Sequence, residues 1–498
     1  MTVTGRIDAA PSDVWNEEVL APQFAYEAEH LLGHYVAIEK ALLLEYRRMG
    51  LVGAAGAAAL AGRLDTLSAE AVRADPEENM SDLSFAIERH VAAGPVAPFA
   101  AWHVDRSRND LQTCAQLMSA REQAVAVADD LLAFGRSALR LAGRHTGIPM
   151  PGYTHAQAAQ VVTPGFYFTA LSAEVIAAVQ RLAATYDQID ACPLGAGALA
   201  GQELAWDRGE LAASLGFARP RHHALMAIAS RGWALSLASD LSNFAVVLSR
   251  FATDLMTWGG SGHGFLELPD ELCGISAAMP QKRNYPVLER IRGRCSHVVG
   301  AAQDLATGQR NTPYSNTVEV SKEAGARLRT LIDALRSTLR LSSAVVDNLG
   351  FDAQRMREIC AAEYLGGFTL ANKLTLEAGI PWRTSQIVAG RYVKAAVDRG
   401  LLPADADAAL LESLAKEAGY PVPDPAAMLG ASFGVEEGIR AKKSAGSTNP
   451  DAVRATAQAQ EIELAELADL WRARRAAVAD AAVRLERRLR EPAAAEPA

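Results

Sequence analysis

Long apolar runs are missing from this 498-residue chain: half of its residues are hydrophobic, yet no stretch is long enough to cross a bilayer. The apolar content is therefore expected in one or more buried cores. Cysteine is scarce. Cys114, Cys192, Cys273, Cys295 and Cys360 are odd in number and lack paired spacing, which indicates neither a disulfide framework nor a zinc site. Positive charge is also short, with 49 Lys and Arg against 58 Asp and Glu and a net charge of −9. A nucleic-acid binder needs a basic face to neutralise phosphates, so no nucleic-acid partner is expected. Any anionic ligand must be met by local cations. Residues Met1 to Asp13 hold no basic segment followed by an apolar one, so the chain is expected to be soluble and cytoplasmic, with no membrane partner.

What is present is helical periodicity. Apolar residues recur at three and four from Val19 to Val72, as in Leu31, Leu32, Tyr35, Ile38 and Leu42. Pro76 interrupts the pattern, and Ser81-Asp82-Leu83-Ser84 caps a further helix. Long helices are expected from Leu111 to about His145, Ala158 to about Ala191, Ala224 to Trp258, Pro286 to Leu305, and Lys322 to about Val346. Shorter helices follow near Phe368–Glu377, Thr384–Arg399 and Asp405–Ala418, then a long one from Ala452 to Arg490 and a disordered end, Glu491 to Ala498. The expected fold is all-α, in three helical domains over residues 1–105, 106–350 and 351–498.

Three stretches carry chemistry. Gly274 to Glu289 reads as a loop followed by a helix that opens at Pro286, which sets Lys282 and Asn284 just before a helix N-terminus. Unpaired N–H groups and the positive end of the helix dipole make that a place for a carboxylate. Ser276, six residues before Lys282, can act as a base if an ammonium keeps it partly ionised and loop closure excludes water. The second stretch, Arg106, Ser107, Arg108 and Asn109, sits at the mouth of another helix and offers donors for an anion. The third, Met150 to Gln157, is a Pro/Gly turn with Thr154, His155 and Gln157. Taken singly, each stretch also fits an ordinary surface turn. His30 and His34, four apart, have no third ligand beside them, so no metal is expected. The Gly-rich run Pro193–Gly201 lacks the order of a nucleotide loop and reads as a hinge, and no cofactor is expected.

Together the stretches Arg106–Asp110, Met150–Gln157, Pro193–Gly201, the S-x-x-M-P-x-K-x-N pattern at Ser276 and A-G-S-T-N-P near Gly446 resemble the argininosuccinate lyases of the fumarase/aspartase superfamily, from about Phe24 to Ala457. The resemblance implies a central bundle of long helices that joins three others in a twenty-helix homotetramer core, with each active site shared by three subunits. It implies that Ser276 removes the Cβ proton of a succinyl group while Lys282 and Asn284 stabilise the resulting aci-carboxylate. Ser107, Arg108, Asn109 and Thr154 would grip carboxylates, with Gln157 in the same binding set. His155, oriented by Glu289, would manage the proton for the departing nitrogen. Tyr314, Glu319 and Lys322 would line the side of the leaving amino acid.

The chain departs from that pattern at four places. Ala277 replaces the second serine of the loop motif, Ser84 stands where a histidine is usual, and Glu319 where a glutamine is usual. No Ser and Asp pair is evident in Leu20 to Glu29. All four lie where the substrate is read, whereas the proton-transfer set is intact. The expected activity is therefore release of fumarate from an N-(1,2-dicarboxyethyl) amino acid, the leaving amine being a diamino acid of the 2,3-diaminopropionate or 2,3-diaminobutyrate type. Two other readings are a true argininosuccinate lyase and a structural homologue without turnover.

Overall fold

The computed structural model describes residue 7 and residues 9–75, 82–95 and 97–491. Pro76, Ser81 and the expected disordered end beyond Glu491 lie outside the described residues. The chain is mostly helical. Helix α1 spans Leu32–Arg48, and the five long helices of the centre are α2 (Arg108–Arg144), α3 (Pro164–Ile189), α4 (Gly232–Gly259), α5 (Pro286–Gln309) and α6 (Ala324–Asp347). The C-terminal helix α7 spans Pro450–Arg490.

Each of α2 to α6 packs on the next, and α6 returns to α2, so the five close into a bundle. Helix α2 is its axis. Ser107 caps it, its hydroxyl accepting the Asn109 N–H at 3.2 Å, and its buried positions run all round the helix, as in Leu117, Ala120, Val125, Leu131, Phe134 and Leu141. At Gly135 an added Cβ would meet Val175 at 3.1 Å and Leu464 at 3.3 Å, so the glycine lets α3 and α7 approach α2 closely. With 37 residues, α2 measures about 55 Å at 1.5 Å per residue. That length separates the two ends of the molecule.

Sequence periodicity and structure part company in three places. The expected helix from Ala158 begins instead at Pro164. The β-branched Val161 and Val162 extend as a strand, β2 (Gln157–Val162), which pairs antiparallel with β1 (Met150–Thr154). Thr163 then caps α3, accepting the Phe166 N–H at 3.0 Å, with Pro164 in the first turn. The helix expected from Ala224 is broken at Ser230 and Arg231 into Ala224–Ala229 and α4. The helix expected from Lys322 begins in a wider π-type turn, Glu319–Glu323.

Residues 367–433 build a separate small core around Leu370, Leu374, Val388, Tyr392, Leu411 and Leu429. Helix α7 leaves that unit and lies along α1, α2 and α3. Lys40 fixes it there through ion pairs to Asp65 and Glu486. No described helix is long and apolar enough to span a membrane. We propose the limits at residues 105 and 350 as domain boundaries.

Candidate active site

The residues expected to act together are split between the two ends of the bundle. At one end lie the β1–β2 hairpin and the Ser276 loop. The rings of Tyr153 and His263 meet at 5.7 Å, Gly165 N–H donates to the His145 carbonyl at 3.0 Å, and Asp352 N–H donates to the Phe265 carbonyl at 2.9 Å. At the other end the amide of Asn109 donates to the Ala198 carbonyl at 3.0 Å, Asn316 donates to Asn109 Oδ1 at 2.8 Å, and Gln116 donates to the Ser321 carbonyl at 2.8 Å. Ser107, Arg108, Asn109, Glu319 and Lys322 belong to this second end, with Tyr314 on the same segment as Asn316.

The hairpin turns through His155 and Ala156, with φ of 52° and 59°. Two successive left-handed residues make the tight turn that matches strand twist, normally an Asn-Gly task. Each non-glycine residue there costs about 1 kcal/mol. The turn presents Thr154, His155 and Gln157 to solvent. Strain of this kind collects at functional sites.

The Ser276 loop is clasped at its base. Gly274 pairs with Asn284 and Ile275 with Arg283, as strands β3 (Gly274–Ile275) and β4 (Arg283–Asn284). A Cβ on Gly274 would meet Pro286 at 2.9 Å, so only glycine lets the clasp seat against the start of α5. Within the loop, Ser276 Oγ accepts the N–H of Met279 at 3.1 Å and of Ala278 at 3.4 Å. N–H groups aimed at a hydroxyl oxygen favour its ionised form over its neutral one. Lys282 is exposed, Asn284 half-buried, and Glu289 lies in the first turn of α5, whose cap residue Tyr285 supplies no side-chain bond. The first turn of α5, which opens at Pro286 four residues after Lys282, is thus without a side-chain cap.

At the other end the motif Arg106–Asn109 divides its labour. Arg106 does not face a ligand as expected: it is buried in an ion pair with Glu39, at 2.9 Å for Nη1 to Oε2. Arg108 is half-buried, 3.2 Å from Asp82 and over the Phe85 ring at 5.2 Å. Asp110 is buried and accepts the N–H groups of Gly195 and Gly197 at 3.2 and 3.0 Å, which pins the small-residue loop. Burial, partly offset by Gly197 N–H and Arg106, pushes its carboxyl up to about 7.

Lys322 pairs with Glu27, a buried carboxylate that also accepts from Gln112 at 3.4 Å. Burial raises Glu27 above the ordinary range, against the pull of Lys322. Glu319 is exposed, and its own backbone N–H and the Thr317 hydroxyl hold its carboxyl low. Beside Lys322 opens a cavity of about 350 Å³. Its walls include Gln23, Tyr26 and Glu27, so part of the segment Leu20–Glu29 lines it beside Lys322. Neither Ser276 nor His155 reaches it. Sequence reasoning missed Glu27, Asn316 and the cavity itself. Glu27 carries a signal only as an acid on the buried side of an amphipathic helix.

Among the described residues no three His, Cys, Asp or Glu side chains gather to hold a metal ion. His34 lies 3.5 Å from Glu122 and His30 3.9 Å from Glu29.

Comparison with known proteins places these observations in a family. The chain matches the family described as Lyase over residues 61–300. It is 31% identical over 424 residues to the argininosuccinate lyase of Methanoculleus marisnigri, covering 82% of this chain and 83% of that one. To the argininosuccinate lyase of Halorhodospira halophila it is 33% identical over 367 residues, or 73% of this chain and 76% of that one. An EDDS lyase variant with bound fumarate superposes at a TM-score of 0.82 with 22% identity, covering 98% of this chain and 97% of that one, which shows the shared helical fold. A tight strained hairpin, a clasped serine loop at a helix mouth and identity of this extent over most of both chains lead to one conclusion: the chain belongs to the argininosuccinate lyase family and is a carbon–nitrogen lyase.

Proposed function

We propose that the enzyme releases fumarate from an N-(1,2-dicarboxyethyl) amino acid by β-elimination, with a small diamino acid as the leaving amine. The observation that carries the chemistry is the Ser276 hydroxyl, which accepts two backbone N–H groups in a loop that ends at the mouth of α5. There Ser276 takes the Cβ proton. Lys282 and Asn284 stabilise the aci-carboxylate, a developing charge for which fixed donors are worth several kcal/mol. His155, turned out by the strained hairpin, and Glu289 handle the proton for the leaving nitrogen. Ser107, Arg108, Asn109, Thr154 and Gln157 hold carboxylates, and Tyr314, Glu319 and Lys322 face the amine.

Because the two groups of residues sit at opposite ends of a bundle about 55 Å long, a single chain cannot bring them together. Neighbouring copies in a homotetramer do so. Helix α5 supports this: only Leu288, Ile291, Cys295, Val298 and Leu305 are buried, and Cβ atoms at Gly293 and Gly300 would meet open space.

The diamino acid is favoured by the exposed, ionised Glu319 and by the absence of the usual arginine-holding pair in Leu20–Glu29. The EDDS lyase variant that shares the fold holds fumarate. A second reading, argininosuccinate itself, is favoured by the identity to argininosuccinate lyases. The test is to incubate the enzyme with fumarate and a panel of amines and identify adducts by mass. Addition to 2,3-diaminopropionate or 2,3-diaminobutyrate well above addition to arginine supports the first reading. Rapid formation of arginine and fumarate from argininosuccinate supports the second. No adduct and no fumarate from any substrate would leave the chain a structural homologue.

A further inference from the structure

The side-chain amide of Asn109, in the first turn of α2, is held from both sides. Its Nδ2 donates to the Ala198 carbonyl at 3.0 Å, and its Oδ1 accepts from Nδ2 of Asn316 at 2.8 Å. Ala198 settles which way the amide points, because a carbonyl only accepts and must meet the nitrogen. Asn316 is then obliged to donate. Its own Oδ1 is buried without a donor among the described residues, although turning both amides over would have given it one. Buried acceptors are nearly always paired, so this orphan marks an orientation that Asn109 imposes on Asn316.

The Ala198 carbonyl is itself a fixed point. Asp110 pins the loop Pro193–Gly201 near its start by accepting from Gly195 and Gly197. Beyond its end the Asp105 carboxylate accepts the N–H groups of Leu204 at 2.8 Å and Glu203 at 2.9 Å and the Trp206 indole N–H at 3.0 Å, while Gln202 donates to the Asp105 carbonyl at 2.5 Å. His103 and Asp105 adopt left-handed φ of 72° and 59° just before α2, a strained backbone that persists where surrounding bonds over-determine it. The two acids that bracket Asn109 in the sequence thus hold both ends of the loop that orients it.

The Asn109 nitrogen carries two hydrogens, of which Ala198 takes one. The other has no acceptor among the described residues, and Asn109 is only half-buried. We propose that Asn316 is a positioning residue for the elimination: it holds the oxygen of the Asn109 amide away from the substrate, so that an N–H and not a lone pair meets the carboxylate. The inference rests on the proposed carboxylate-holding role of Asn109 and adds the residue that sets its polarity. An amide free to turn must be ordered when the anion binds, whereas one fixed in advance avoids that cost.

The experiment is a double-substitution cycle, read by calorimetry of fumarate binding to the assembled enzyme. It compares Asn109→Ala, Asn316→Ala, the two together, and Asn316→Gln. Asn109→Ala should weaken fumarate binding roughly tenfold or more, the scale of one charge-assisted contact. Asn316→Ala should weaken it about three- to tenfold, the scale of a neutral hydrogen bond. In the Asn109→Ala background the same substitution should change the affinity by less than about twofold, because it acts through that amide. Asn316→Gln keeps an amide donor and should recover part of the loss, and it replaces Asn316→Ala in the cycle if that variant does not fold. Equal losses in the two backgrounds, as a ligand contact or a purely structural role would give, overturn the proposal. So does an Asn316→Ala protein that binds fumarate like the wild type while Asn109→Ala does not, which leaves the role of Asn109 standing. A wild type that binds no fumarate, or an Asn109→Ala protein that binds it as tightly as the wild type, overturns the carboxylate-holding reading and this proposal with it.

Discussion

Arg106 and Glu39 form a buried ion pair between the start of α2 and the middle of α1, with Arg106 Nη1 2.9 Å from Glu39 Oε2 and both side chains almost fully enclosed. Burial alone would raise Glu39, but Arg106 and His103 hold its carboxyl below the ordinary range. Arg106 is therefore a structural member of a motif whose next three residues, Ser107, Arg108 and Asn109, we propose as the carboxylate-holding ones.

Replacing Arg106 by Met should leave Glu39 buried without a partner and cost about 3–5 kcal/mol of stability. Urea unfolding read by circular dichroism checks this. Arg108→Met, whose side chain is half-exposed, should cost under about 1 kcal/mol and act on KM instead. Equal destabilisation by the two would show that the motif is not divided in this way.

The contrast shows what a sequence can and cannot convey. Helical period located the bundle because the faces of α3, α4 and α6 repeat Leu, Val and Ala at regular spacing. The start of α5 was legible from Pro286, and the serine loop before it from Gly274 and Pro280. The β1–β2 hairpin was not: Ala158 and Ala159 favour helix locally, and only pairing with Met150–Thr154 makes that segment extended. Nor could spacing distinguish Arg106 from Arg108, since the difference is Glu39, 67 residues earlier. The cavity arises from Leu20–Glu29, Arg231 and Lys322, which only the fold brings together.

Ser276→Ala should lower the rate of fumarate release by a factor of about 100 to 10,000, the usual contribution of a general base, while fumarate binding measured by calorimetry changes little. The rate is read from the ultraviolet absorbance of fumarate. A variant with near wild-type turnover would remove Ser276 from its role.

Gly300→Arg places a long charged side chain where a Cβ meets open space in the lone chain, on the exposed face of α5. Sedimentation should show a tetramer for the wild type and smaller species for the variant. Its helical content should be retained and its turnover lost. A variant that stays tetrameric would place the subunit interface elsewhere.

Asp110 gives a pH dependence with a definite sign. Its carboxyl has an ordinary value of 3.8 and is raised to about 7 in the fold, so its contribution to stability is complete below pH 3.8 and is lost as pH rises through about 7. Asp110→Asn keeps an oxygen for the Gly195 and Gly197 N–H groups and removes the titration. The stability of the variant relative to wild type should therefore grow from pH 4 to 7, by on the order of a few kcal/mol. His103, held down to about 4 by burial and Arg106, contributes the opposite slope. It does so in both proteins and cancels. A difference that stays flat with pH in urea titrations would contradict the assignment.

The most direct test of the account is subunit complementation. Ser276→Ala and Asn109→Ala each disable one end of the chain, and each protein alone should be nearly inactive. Dissociated, mixed and reassembled, they should regain a substantial fraction of wild-type fumarate release, because some sites then draw an intact Ser276 from one copy and an intact Asn109 from another. Activity in the mixture no greater than the sum of the separate variants would contradict a site built from opposite ends of different chains.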